Sequence, residues 1–246
     1  MLHSLGQILK DALFPPTCSG CGERGRWLCA RCEQEWPTSE SLPGWCRRCG
    51  EPTVRGQCGC RYLHPRVGVA RSAYPYGGWV SLALRAVKYE GEKDRAHFLG
   101  SILAGSEAAS LLATADVIVP VPMHPRRQRD RGYNQAELIA DSVCDELGIA
   151  PPLNYLVQQV ERSSQVGLSG RDRRTNVRGA FSLDPKQSIS PGARIVLVDD
   201  VRTTGATVSA CADTLGKLRP TRIDVVTFAK ELTFDTEEYL GLGKRK

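Results

Sequence analysis

At 246 residues, with 41% hydrophobic and 24% charged residues, the chain has room for one large globular domain or for a small domain joined to a larger one. Its net charge of +6 is a mild basic excess that permits nucleic acid or phosphorylated partners without requiring them, and it excludes a strongly acidic chain. No apolar run approaches the roughly 20 residues needed to span a bilayer.

The N-terminal stretch MLHSLGQILKDALFPPT spaces Leu2, Leu5, Ile8, Leu9 and Leu13 along one face of a short helix. Lys10 and Asp11 interrupt it and no small-residue cleavage site follows, so a secretion signal is not expected and the cytoplasm is. Eight of the ten cysteines then fall within the first 60 residues. Cys18, Cys21, Cys29 and Cys32 form one C-x2-C-x7-C-x2-C set; Cys46, Cys49, Cys58 and Cys60 form a C-x2-C-x8-C-x-C set. Paired cysteines without a secretion signal favour metal over disulfides. Four thiolates around tetrahedral zinc close a structural site with no open position for substrate. A segment this short buries too little apolar surface to fold unaided, so metal would supply its folding free energy. Pairing in sequence order is expected, with a crossed arrangement, or His64 as a substitute ligand in the second set, as the alternatives. Arginines interleave with Trp27, Trp36 and Trp45 here, a mix that serves either as a small core or as a base-stacking, phosphate-holding surface.

The composition changes near residue 66, which divides the chain into a double zinc-ribbon domain (1–66) and a larger domain (67–246). Apolar spacing predicts helices over 81–91 and 95–115. A buried strand over 116–122 ends in prolines, and an amphipathic helix over 134–148 stops at a glycine. A second strand is expected at LNYLVQQV (153–160), a nearly all-apolar one over 194–201, a helix over 206–218 and a last strand over 222–230. Alternating strands and helices predict a parallel sheet flanked by helices. Cys144 and Cys211 lie inside helical patterns and read as core.

The stretch IVLVDDVRTTGATVSACADTL carries the chemistry. Its strand delivers Asp199 and Asp200 to the carboxyl edge of the sheet, where open parallel sheets bind ligands. Thr203, Thr204, Gly205, Ala206 and Thr207 then turn into a helix N-terminus, whose backbone N–H groups and dipole favour a phosphate. The two carboxylates suit vicinal ribose hydroxyls and a shared Mg2+. A threonine-capped helix after an ordinary strand is the plain alternative. It leaves two acids at a buried strand end without a partner.

This stretch resembles the phosphoribosyl pyrophosphate (PRPP) motif of type I phosphoribosyltransferases. Together with PVPMHPRRQRDRGYNQ (120–135), the run from Gln165 through Arg174 to Asn176, AVKYEG with Lys88, and the cysteine-rich front, nearly the whole chain is similar to the ComF family of competence-associated proteins. Gln158 stands where that pattern has a basic residue, and Arg162 where it has threonine. The resemblance implies a type I phosphoribosyltransferase fold, with Asp199 and Asp200 on the ribose hydroxyls and residues 203–207 around the 5-phosphate. It places pyrophosphate in the loop from Pro122, near His124, Arg126 and Arg131, with Lys88 and the basic stretch of Arg171 and Arg174 as further contacts. It assigns no certain catalytic residue. The resemblance favours a DNA-uptake protein that binds PRPP, Mg2+ and single-stranded DNA, with competence-machinery proteins as further partners; the acid pair and phosphate loop also allow a working transferase that releases pyrophosphate, and the zinc module an adaptor for a partner protein. A transferase needs a hood to read its acceptor base, and the zinc region is the available segment for it.

Overall fold

Four strands that are apolar on both faces build the central sheet. The structure is a computed structural model that describes residues 15–42, 44–53, 58, 60, 63–159, 179–187 and 189–232. The N-terminal apolar face, Arg55, Arg61, the stretch containing Arg162, Gln165, Arg171, Arg173, Arg174, Asn176 and Arg178, and the chain beyond Leu232 lie outside the described residues.

The sheet contains β1 (Val67–Pro75), β2 (Val117–Pro120), β5 (Arg194–Arg202) and β6 (Arg222–Lys230), in the order β1-β6-β5-β2 and all parallel. Along β5 the side chains alternate between two cores. Val196 and Val198 pack with Val226 and Phe228 on one face, whereas Ile195 and Leu197 pack with Ile223 and Val225 on the other. Burial on both faces explains why these strands read as continuous apolar runs. The first face is covered by α2 (Gly78–Tyr89), α3 (Lys93–Ala104), a 3-10 turn (Glu107–Thr114) and α5 (Gln135–Leu147). The second is covered by α6 (Ala206–Leu215) and by a short antiparallel pair, β3 (Leu156–Gln158) with β4 (Phe181–Leu183). Between β2 and α5 lies α4 (Pro125–Arg131), and α1 (Ala30–Gln34) belongs to the cysteine-rich front.

Three expectations need correction, and one strand was not expected at all. The strand β1 is absent from the sequence reading because Gly68, Arg71 and Ser72 break its apolar run; a register shift near Val67–Ala70 frees the Val69 N–H, which donates to the buried Asp224 carboxylate at 2.7 Å. The expected strand at 153–160 exists only as three residues, and it joins the separate antiparallel pair instead of the parallel sheet. The helix expected over 95–115 stops at Gly105 and resumes as the 3-10 turn. The basic segment after Pro122 is largely the helix α4, with proline at its first position, instead of an extended loop.

Local chemistry accounts for the helix ends. Asn134 caps α5 by accepting from the Ala136 N–H at 3.1 Å, and its amide reaches the Val121 carbonyl at 3.0 Å. Gly148, left-handed at φ 63°, ends that helix. A Cβ on Gly100 would stand 2.5 Å from Ser142 Cβ, so α3 and α5 approach as closely as they do only because that side chain is missing.

The cysteine-rich front is built onto the sheet. Trp36 is buried in the same core as Tyr74, Trp79 and Phe228, and its indole N–H donates to the Pro75 carbonyl at 2.9 Å. The Trp36 ring lies where side chains on Gly77 and Gly78 would be, with a Cβ on Gly78 falling 2.5 Å from the ring. Backbone bonds from Ser39 to Ala73 and from Ala70 to Arg48 tie the front to β1, which would otherwise be an open sheet edge. Among the described residues no single helix is long and apolar enough to cross a membrane.

Candidate functional site

The carboxyl ends of β5 and β6 gather most of the charged side chains that the fold buries. Asp199 and Asp200 follow the apolar run Ile195–Val198 and are both buried. The Asp200 N–H donates to Asp199 Oδ1 at 2.9 Å, and the Val201 N–H donates to Asp200 Oδ1 at 2.8 Å. Lys88, on the last turn of α2, brings its Nζ to 2.6 Å from Asp200 Oδ2. Burial opposes the Asp200 charge, yet the Lys88 ammonium outweighs it and holds this carboxyl below its ordinary value. Burial likewise opposes the Lys88 charge, and Asp200 outweighs it, so the ammonium titrates above its ordinary value. Burial and then the neighbouring Asp200 charge hold the Asp199 carboxyl well above the usual carboxylate range. The pair thus has one cation for two acids.

Four residues on from Asp199 the chain turns through Thr203–Gly205 into α6. Gly205 is left-handed at φ 79° and occupies the N-cap position, with no side-chain cap on the helix. Thr204 Oγ1 accepts a long 3.4 Å bond from the Ala206 N–H. Thr203 is exposed, and Thr204, Ala206 and Thr207 are half-buried. A helix that begins at a glycine, with no cap from the N-cap side chain, presents the positive end of its dipole to any anion that reaches it.

The remaining residues singled out in the sequence divide. Lys88 joins the acid pair. Pro122 follows β2 at the same carboxyl edge of the sheet, but the His124 imidazole is used locally: Nδ1 accepts from the Arg126 N–H at 3.3 Å and so caps α4. Arg131 lies over the Tyr89 ring at 6.0 Å. Arg171 and Arg174 lie outside the described residues.

A second group was not legible in the sequence. Glu51, Arg202 and Lys230 are buried together. Arg202 Nη1 stands 3.2 Å from Glu51 Oε1 and Lys230 Nζ 3.3 Å from the same oxygen. Arg202 Nη2 donates to the Cys49 carbonyl at 2.5 Å. Burial, followed by the Arg202 charge, lowers Lys230 to about 8 against the pull of Glu51. These contacts dock the second cysteine cluster on the ends of β5 and β6. The available signal was a charged residue closing each apolar strand, at Arg202 and Lys230; nothing in the sequence pairs them with Glu51.

The cysteines assemble in sequence order. Cys18, Cys21, Cys29 and Cys32 form one cluster and Cys46, Cys49, Cys58 and Cys60 the other, with all four sulfurs of each within 4.8 Å of one another. Tetrahedral zinc with sulfur ligands requires S···S separations of about 3.8 Å, and Cys21 and Cys29 stand 3.8 Å apart. His64 is turned away, 3.6 Å from Asp213. Burial alone would raise the Cys18 and Cys46 thiols, but converging backbone N–H groups bring each down to about 6. Burial and the neighbouring thiols push Cys32 up to about 12 and Cys60 to about 11. Four thiols so close cannot all ionise without a cation, which is the condition a zinc ion satisfies.

Of the three front tryptophans, Trp36 is core, and Trp27 and Trp45 each pack under a guanidinium, Arg95 and Arg71, at 4.5 Å.

The chain is 32% identical over 220 residues to competence protein F of Haemophilus influenzae, covering 87% of this chain and 85% of that protein. It is 30% identical over 200 residues to DNA utilization protein YhgH of Escherichia coli O157:H7, covering 78% and 85%. Among solved structures it is similar to the glutamine PRPP amidotransferase of B. subtilis, 18% identical with a TM-score of 0.41, over 65% of this chain and 37% of that one. The chain thus spans little more than a third of that enzyme. No protein-family model matches it.

Proposed function

The chain belongs to the ComF family, and on that premise we propose that it serves DNA uptake, binding PRPP with Mg2+ at the Asp199–Asp200 edge and single-stranded DNA on its basic surface. The observation that carries the sugar-phosphate reading is the juxtaposition of two buried acids, sharing one lysine, with a helix N-terminus that begins at Gly205. A phosphate among the N–H groups of residues 205–207 leaves its sugar beside the carboxylates, where ribose hydroxyls donate to them. The donor set fits Mg2+, a hard cation that takes carboxylate oxygens; burial and the Asp200 charge raise the Asp199 carboxyl, and a divalent charge beside it acts in the opposite direction, favouring its ionised form. Lys88 keeps Asp200 ionised before any ligand arrives. The DNA reading draws on the relatives named for competence and DNA utilization and on the net charge of +6. Zinc in the two cysteine clusters would hold the front segment on the sheet.

Titration calorimetry with PRPP and Mg2+ tests the assignment. Binding is expected for the wild-type chain and lost in Asp199→Asn/Asp200→Asn, with circular dichroism unchanged. Undiminished affinity in the double variant would remove the acids from the site.

A further inference from the structure

An open cavity of about 510 Å3 adjoins the acid pair, lined by Tyr76, Leu84, Arg85, Lys88 and Tyr89. Lys88 belongs to both places, since its ammonium contacts Asp200. The volume falls within the range of small-molecule sites. Leu84 is buried and forms an apolar floor, and Tyr76 is half-buried.

Two of the lining residues, Arg85 and Tyr89, belong to an exposed stripe of α2. Leu82, Arg85 and Tyr89 follow one another at helical spacing, and all three are exposed. Tyr89 is 77% exposed, more than any other large apolar side chain among the described residues. The Arg85 guanidinium makes no hydrogen bond or ion pair among the described residues, although it borders the cavity. From α4, the Arg131 guanidinium reaches over the Tyr89 ring at 6.0 Å. The cavity lining therefore offers an aromatic face, an apolar floor and two cations, Arg85 and Lys88, beside a candidate sugar-phosphate site, with Arg131 at the Tyr89 ring as a third cation next to it. A planar, apolar-faced group carrying negative charge fits this lining, because rings stack on tyrosine and phosphates pair with guanidinium.

We propose that this cavity is a nucleobase subsite, in which one base stacks on Tyr89 and, when the base is carried on a strand, the neighbouring phosphates face Arg85 and Arg131. The proposal rests on the reading that the adjoining edge belongs to a protein that handles nucleotides or DNA. It also supplies the base-reading surface that the zinc segment was expected to provide, from α2 instead. The same chemistry suits a base on a single strand and a free base.

Fluorescence anisotropy on the full-length protein at low salt decides between them and tests the subsite. The probes are labelled dT12 and an abasic 12-mer with the same number of phosphates. The wild type is expected to hold dT12 more tightly than the abasic strand. Tyr89→Ala should weaken dT12 by about 10-fold, the scale of one base–aromatic stack, while leaving the abasic strand unchanged; Tyr89→Trp should restore it. Displacement of dT12 by free adenine or thymine assigns the cavity to a free base, and its absence assigns it to a base on a strand. No dT12 complex, equal affinity for the two strands, or a Tyr89→Ala variant indistinguishable from wild type overturns the proposal. PRPP calorimetry on the same samples separates the two readings. Tyr89-dependent dT12 binding without PRPP binding refutes the sugar-phosphate reading alone; PRPP binding with Tyr89-independent dT12 binding refutes the subsite alone.

Discussion

Glu51 is one carboxylate facing two buried cations, Arg202 and Lys230, and no water competes for it there. Removing its charge leaves both cations uncompensated in low dielectric, a change that costs about 3–5 kcal/mol in comparable buried pairs. Glu51→Gln is therefore expected to lower the unfolding free energy in urea by that order. Lys230 behaves differently, because its ammonium is held at about 8 against an ordinary 10.5. The unfolded chain binds that proton more tightly, so the charged lysine destabilises the fold fully below about pH 8 and ceases to do so as the pH rises through 10.5. Lys230→Met should be the more stable protein at pH 7, and its advantage should shrink between pH 8 and 10.5; denaturant titrations at several pH values would show it. A constant difference across that window would mean that the fold does not disfavour the Lys230 ammonium. At this scale the sequence was partly legible. Asp199 and Asp200 announced themselves because two acids at the end of an apolar strand need a partner. Glu51 did not, because it is an ordinary polar residue in a turn-rich segment until the fold brings Arg202, 151 positions away, to its side.

At the scale of elements, the N-terminus of α6 depends on Gly205. A left-handed φ of 79° costs a side-chain-bearing residue roughly 1–2 kcal/mol, and relaxing it would turn the following N–H groups away from a common point. Gly205→Ala should lose about that much stability and weaken PRPP binding by 10-fold or more in calorimetry, whereas Gly132→Ala, also left-handed at φ 83° but at the C-terminus of α4, should lose stability alone. The strands β5 and β6, and the helices α5 and α6, were readable to within a few residues because burial on two faces, or on one helical stripe, leaves a strong periodic signal. The strand β1 and the pair β3–β4 were not. Their residues are held by neighbours distant in sequence: Asp224 for the shifted start of β1, and Phe181–Leu183 for β3. The helix α4 hid among arginines because none of its residues is buried, so no apolar stripe marks it.

For the whole molecule, the position of Trp36 decides how metal and fold are coupled. A ribbon that merely hung from the sheet could lose zinc without consequence for the rest. Here the indole fills the turn at Gly77–Gly78 and shares the core of Tyr74 and Phe228, and Cys49 holds Arg202. Elemental analysis is expected to give two zinc ions per chain, and chelation should lower the melting temperature of the entire protein by several degrees with a change in tryptophan emission. An unchanged melting temperature would show the sheet to be independent of the metal. The sequence by itself determined the parallel α/β class, the two cysteine sets, and the acid pair with the Thr-Thr-Gly-Ala-Thr turn after it, because each is a local pattern complete within a few dozen residues. Only the tertiary structure decided that the cysteines pair in order, that Lys88 serves Asp200, that Glu51 locks the front segment onto β5 and β6, and that Tyr89 borders a cavity beside the acids. Those outcomes depend on which surfaces the packed sheet and helices bring within a few ångströms, and residue spacing along the chain carries no information about that.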